Sequence, residues 1–144
     1  MREILYKAKR IDNGEWVYGS YLYTFCEDKD CQIVGIQGEK HWIVEENGNI
    51  FWIDESTICQ YTGRVDKNGH KIWENDILVA HLDENYPEDE TYEQVIWHES
   101  GFCTMEKNST DCEPLVDFDT KNFAVCGNIF DNAEFLERKE SENE

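Results

Sequence analysis

The sequence predicts a mainly β protein, α+β at most, built from antiparallel hairpins in two small lobes. Three observations lead there. Asn-Gly pairs stand at Asn13-Gly14, Asn47-Gly48 and Asn68-Gly69, and such two-residue turns join antiparallel neighbours, not βαβ units. Aromatic residues make up 13% of the chain, with five Trp and seven Tyr, and these side chains favour strands and half-buried faces. The best helix reading is a single short late stretch, residues 131–139.

Taken in order, residues 4–11 read as a first strand, Asn13-Gly14 as its turn, and residues 15–23 as the return strand. Gly19 inside that strand marks a bulge or a close approach of another backbone. Residues 27–30 are a polar loop. Residues 32–36 and 41–44 read as short strands around Gln37-Gly38, and residues 50–53 follow the turn at Asn47-Gly48. Residues 54–57 break the pattern and 58–61 resume it. Asn68-Gly69 then introduces a strand bearing Trp73, a polar turn, and an apolar strand at 77–80.

Residues 82–92 are an acidic loop containing Pro87, expected to splay outward because burying unpaired carboxylates is costly. Residues 93–98 and 101–105 pair across a turn at 99–101, residues 107–114 are loop, and 123–129 form a last strand interrupted at Gly127-Asn128. A short helix is predicted over 131–139, with Asp131 capping and Glu134 three residues on. A seam near 57–63 separates an N-terminal antiparallel β lobe (1–60) from a C-terminal lobe (61–139). A disordered acidic tail, 140–144, follows.

The formal net charge is -19, from 32 acidic and 13 basic residues. Such a surface repels nucleic acid and anionic lipid, so direct phosphate-backbone binding and membrane binding are not expected. The charge serves solubility first; mimicry of nucleic acid, to occupy a DNA-binding partner, is the sharper alternative. The six cysteines follow no apolar leader, since residues 1–7 lack one. No run approaches the roughly 20 apolar residues of a membrane span. A cytoplasmic protein with reduced thiols is the expectation.

No constellation of catalytic, cofactor-binding or metal-ligating residues emerges. Cys26 and Cys31 have the wrong spacing for a zinc knuckle, and the remaining Cys are scattered. His41, His70, His81 and His98 contain no pair three or four apart, whereas structural zinc needs four convergent ligands. No local signature of a cysteine or serine nucleophile is present. The carboxylates of 83–93 are hard oxygen ligands without the order of an EF-hand, and Asp66-Lys67-Asn68-Gly69 reads as a hairpin turn. Gly63, Gly69, Gly101 and Gly127 fit no phosphate-binding fingerprint. Trp16, Trp42, Trp52, Trp73 and Trp97 suit core or subunit-interface packing.

Three segments carry a resemblance: Gly14-Glu15-Trp16-Val17-Tyr18-Gly19-Ser20-Tyr21; Tyr61-Thr62-Gly63-Arg64-Val65-Asp66-Lys67-Asn68-Gly69 with Lys71-Ile72-Trp73-Glu74-Asn75-Asp76-Ile77; and Gly127-Asn128-Ile129-Phe130-Asp131-Asn132-Ala133-Glu134-Phe135-Leu136. In these the chain resembles the YopX family of phage and prophage proteins. It departs from the family's usual Leu, Gly and Pro at Arg64, Asn75 and Ala133. Asn75 can keep a left-handed turn, and Ala133 remains compatible with a helix start. The resemblance implies a mostly β architecture, a barrel-like C-terminal lobe and expression in a bacterial cytoplasm. It supplies no functional residue. The turn and apolar strand at 74–79 are compatible with an SH3-like barrel.

The expectation is therefore a non-enzymatic phage accessory protein acting through protein–protein contact with itself, as a homo-oligomer, or with another protein, and needing no cofactor. The rivals are an acidic DNA-mimic inhibitor and a metal- or thiol-dependent enzyme.

Overall fold

The computed structural model describes residues 4–28, 36–81, 90–98, 101–106, 112–115 and 122–136. The chain divides into two compact units, Met1–Gln60 and Tyr61–Glu144. Its strands are antiparallel throughout.

In the first unit, β1 (Tyr6–Lys9), β2 (Trp16–Cys26), β3 (Gly38–Val44) and β4 (Ile50–Trp52) pair in sequence. The Asn-Gly turns form as predicted. Asn13 and Asn47 each accept the N–H two residues on, from Glu15 at 2.9 Å and Asn49 at 3.0 Å, the side-chain bond that makes Asn a turn residue.

Strand β2 serves two partners. Its residues 16–19 pair with β1 and residues 20–26 with β3. The exchange falls at Gly19, where an added Cβ would lie 2.1 Å from the Val44 carbonyl oxygen. A residue without a side chain is required for that approach. After β4 the chain returns to the end of β1: Arg10 bridges Ile53, Ile11 N–H donates to Trp52 O at 3.1 Å, and Asp54 N–H donates to Lys9 O at 2.9 Å. The sheet therefore curls around Ala8, Val17, Ile43 and Ile53, with Tyr6, Tyr21, Phe51 and Ile58 packed on them.

A 3-10 turn, Glu55–Thr57, follows. Asp54 caps it by accepting Ser56 N–H at 3.0 Å. Buried Thr57 accepts Lys9 N–H at 2.8 Å and donates to Asp54 O at 2.7 Å. Strand β5 (Cys59–Val65) begins beside β1, with Tyr6 opposite Gln60, and its later residues belong to the second unit.

There β5 pairs with β6 (Lys71–Trp73). Five further strands, β7 (Asp76–His81), β8 (Glu90–His98), β9 (Gly101–Glu106), β10 (Glu113–Pro114) and β11 (Ala124–Asn128), form a sheet in the order β10-β9-β8-β7-β11. This sheet is open, so the described strands do not make the SH3-like barrel expected of the C-terminal lobe. Its edges are the short β10 and β11, and no described pairing joins them. Strand β10 also lies where loop was expected; Leu115 N–H bonds to Phe102 O at 3.0 Å and holds it. The core is Ile72, Leu78, Val95 and Leu115, with Phe102, Phe123 and Val125 against it.

The helix expected over 131–139 is described at 134–136, where the Phe135 ring stacks on Tyr92 with centroids 5.7 Å apart. The strand expected at 32–36 (save Ile36), most of the acidic loop and the tail lie outside the described residues. Among the described residues no helix is long and apolar enough to cross a membrane.

Candidate functional site

The curled sheet of the first unit has two faces. Alternation along each strand sends Ala8, Val17, Tyr21, Ile43 and Phe51 inward and Leu22, Thr24, Trp42, Ile50 and Trp52 outward. The inward set is a core. The outward set is not covered: Leu22 is 41%, Ile50 56% and Trp52 45% exposed.

Trp42 lies between Leu22 and Trp52 in the cross-strand register. With Ile36 these strands form a cleft of about 370 Å³ lined by Leu22, Thr24, Ile36, Trp42 and Ile50. Its indole donor is already engaged, since Trp42 Nε1–H donates to Thr24 Oγ1 at 2.8 Å. Beside the Thr24 hydroxyl, hydrocarbon and ring surface is what the lining offers a ligand.

The charged side chains at outward positions of β1 to β4 are Lys7, Lys9 and Lys40. No Asp or Glu stands at those strand positions, in a chain of 32 acidic residues. Each lysine lies on a ring. Lys7 and Lys9 Nζ are 4.5 and 5.4 Å from the Trp16 centroid, and Lys40 Nζ is 4.1 Å from that of Trp52. That range gives cation–π attraction.

A second constellation sits on β2, β3 and the 3-10 turn. The Tyr21 hydroxyl bonds His41 Nδ1, and His41 Nε2 lies 2.7 Å from Glu55 Oε2. Burial, then the nearby Glu55, Glu39 and Tyr6, raises the Tyr21 phenol. With the phenol as donor to Nδ1, the proton of a neutral imidazole lies on Nε2, facing Glu55. The order carboxylate, imidazole, hydroxyl is that of an activated nucleophile, but the raised phenol opposes that role and the cleft is lined by other residues. Composition gave no signal for this group, because its members lie on three separate elements.

In the stretch from Tyr61 to Val79, Thr62, Asp66, Asn75 and Asp76 serve backbone geometry. Thr62 Oγ1 donates to Ile72 O at 2.7 Å and accepts Arg64 N–H at 3.2 Å, across the register shift between Tyr61 and Val65. Gly63 there has φ 86°. The Asp66 side chain is fully buried. Its Oδ1 accepts Asn68 and His70 N–H, both at 2.9 Å, and its Oδ2 accepts Val125 N–H at 2.9 Å. Burial pushes this carboxyl up, but the N–H groups of Val125, His70 and Asn68, with His70 itself, outweigh it and hold it below the ordinary value. Asn75 adopts φ 70°, the left-handed turn expected of it. Its N–H bonds Val95 O at 2.7 Å, its carbonyl accepts Ile129 N–H at 3.0 Å, and its side chain accepts Gln94 Nε2 at 3.1 Å. Buried Asp76 accepts Trp73 N–H at 2.8 Å.

Among the described residues, Cys103 and Cys112 lie in contact and no larger cysteine cluster forms. Cys59, Cys103, Cys112 and Cys126 are free thiols. Cys26 is disulfide-bonded, which corrects the expectation of reduced thiols at that position; Cys31 lies outside the described residues. Burial first, then contact with Cys103, pushes Cys112 up to about 11. Burial, with Asp76 and Glu90 nearby, does the same to Cys126. Among the described residues, no three His, Cys, Asp or Glu side chains are grouped to hold a metal ion.

Comparison with known proteins follows the same outline. A solved structure, the crystal structure of protein EF1440 from Enterococcus faecalis, is similar with a TM-score of 0.56 at 18% identity, over 94% of this chain and 99% of that one. At that identity the likeness concerns the fold alone. No curated protein matches the chain. The model of the YopX protein family matches residues 5–137, a span that takes in all three signature segments, and the chain therefore belongs to the YopX family.

Proposed function

We propose that this member of the YopX family is a phage accessory protein that acts without catalysis, by protein–protein contact in the bacterial cytoplasm, with itself or with another protein. The observation that supports this is the outward face of the first unit. Leu22 and Ile50 line an apolar cleft, with exposed Trp52 beside it across from Trp42, and contiguous exposed apolar surface of this kind marks interaction sites. Light scattering and pull-down from bacterial host lysate, with wild type and Ile50→Asp side by side, test it. Ile50 is 56% exposed, so the substitution should leave the melting temperature within a few degrees. It should abolish self-association or capture. A strict monomer that captures nothing, or association indifferent to Ile50→Asp, removes the proposal.

A further inference from the structure

We infer that the outward cleft of the first unit takes a polypeptide segment of another protein in which an apolar side chain stands within a residue or two of an Asp or Glu. This rests on the contact reading above and names the partner's chemistry.

The cleft sets the apolar half of that chemistry. Its volume of about 370 Å³ falls in the range of pockets that accept compact apolar groups. The Thr24–Trp42 hydrogen bond already takes up the indole donor, and the other lining side chains, Leu22, Ile36 and Ile50, are hydrocarbon.

Lys40 sets the acidic half. It stands directly across from Thr24, itself a lining residue, and cross-strand Cβ atoms are about 5 Å apart. Its Nζ is held over the Trp52 ring, 4.1 Å from the centroid, and so is fixed beside the cleft. The neighbouring Glu39 has the opposite alternation, with Tyr23 OH donating to its Oε1 at 3.1 Å. A chain of net charge -19 thus keeps carboxylates off the outward strand positions and places lysines there. An acidic segment is repelled by most of this protein's surface and accepted here, which confers specificity.

Two other occupants fit less well. A symmetric dimer through this face would set one lysine-bearing patch against its own copy, because a two-fold contact apposes identical patches, and the two would add like charge. Single-stranded nucleic acid needs a positively charged groove and free ring faces. Here Lys7 is only 6% exposed, and lysines occupy the Trp16 and Trp52 faces.

Selection of a displayed library of random 12-residue peptides on the full chain tests the inference, with Lys40→Glu and Ile50→Asp as parallel targets whose folding is verified by melting. Wild type should enrich peptides with Leu, Phe or Trp beside Asp or Glu, and a synthetic copy of one should bind about tenfold more weakly to Lys40→Glu. Ile50→Asp should bind none. Peptides selected on Lys40→Glu should lose the acidic preference. The inference is overturned by enrichment of basic peptides, by an acidic preference that survives Lys40→Glu, by displacement of the bound peptide by oligothymidylate, or by no enrichment at all. Apolar peptides without charge preference, still lost on Ile50→Asp, would overturn this inference and leave the contact reading standing. A light-scattering dimer abolished by Ile50→Asp would also overturn it in favour of a second copy.

Discussion

Replacing Asp66 should unlock the second unit, and the expected cost follows from its contacts. One buried carboxylate holds the turn between β5 and β6 through Asn68 and His70, and holds β11 through Val125. Hydrogen bonds to a charged acceptor contribute about 1.5–3 kcal/mol each. Water can reach the exposed turn N–H groups, so their loss counts for less than that of Val125. Asp66→Ala should therefore cost about 3–5 kcal/mol, against a total of about 5–15 kcal/mol for a typical domain. Asp66→Asn keeps one acceptor oxygen but turns an amide NH2 toward the Val125 N–H, and should cost about 2 kcal/mol. Urea unfolding followed by Trp fluorescence measures both, and hydrogen exchange should show lost protection at Val125. The carboxyl lies below its ordinary value when folded. Its contribution is thus complete above the unfolded pKa of about 3.9 and is lost as pH falls through the lower folded value. The gap between wild type and Asp66→Asn should shrink in acid. A loss under about 1 kcal/mol for Asp66→Ala, or a gap that widens below pH 4, would refute the reasoning.

Three further outcomes are expected. Gly19→Ala should destabilise by about 3 kcal/mol or more, because its Cβ meets backbone at 2.1 Å. Gly14→Ala, with open space around it, should cost about 1–2 kcal/mol from left-handed backbone alone; equal melting temperatures for the two would contradict the steric account. Asn75→Gly should stay within about 1 kcal/mol of wild type, since Gly keeps the φ of 70° and loses only the Gln94 bond, while Asn75→Val should cost clearly more. Cys126, at about 11, should alkylate with iodoacetamide at pH 8 about two orders of magnitude more slowly than a free thiol of pKa about 8.5; peptide mapping that finds it labelled at the free-thiol rate would refute its burial.

The local features of this fold were legible because their causes are local. Asn13-Gly14, Asn47-Gly48 and Asn68-Gly69 each form turns through bonds that reach two to four residues along the chain. Asn75 keeps its left-handed turn because Asn tolerates that backbone better than other residues with a side chain. Gly19 was recognisable as a point of close approach, though not that Val44 is what approaches. Family membership was legible in the three signature segments and holds over residues 5–137.

The site was not legible. Leu22, Trp42, Ile50 and Trp52 read equally well as core, and strand alternation alone does not say which face is covered. Curling of the first unit through Arg10 and Ile53 puts Val17 and Ile43 inside and leaves Trp52 outside. The open sheet of the described strands in the second unit, the joining of Asp66 to Val125 across 59 positions, and the meeting of Tyr21, His41 and Glu55 are likewise tertiary. The sequence by itself determined the turns, because hydrogen bonds between near neighbours specify them, most of the strands, because β-favouring side chains and turn boundaries mark them, and the family, through three signature segments. Only the tertiary structure decided which apolar face is buried and which is offered to a partner, because that depends on where distant strands close.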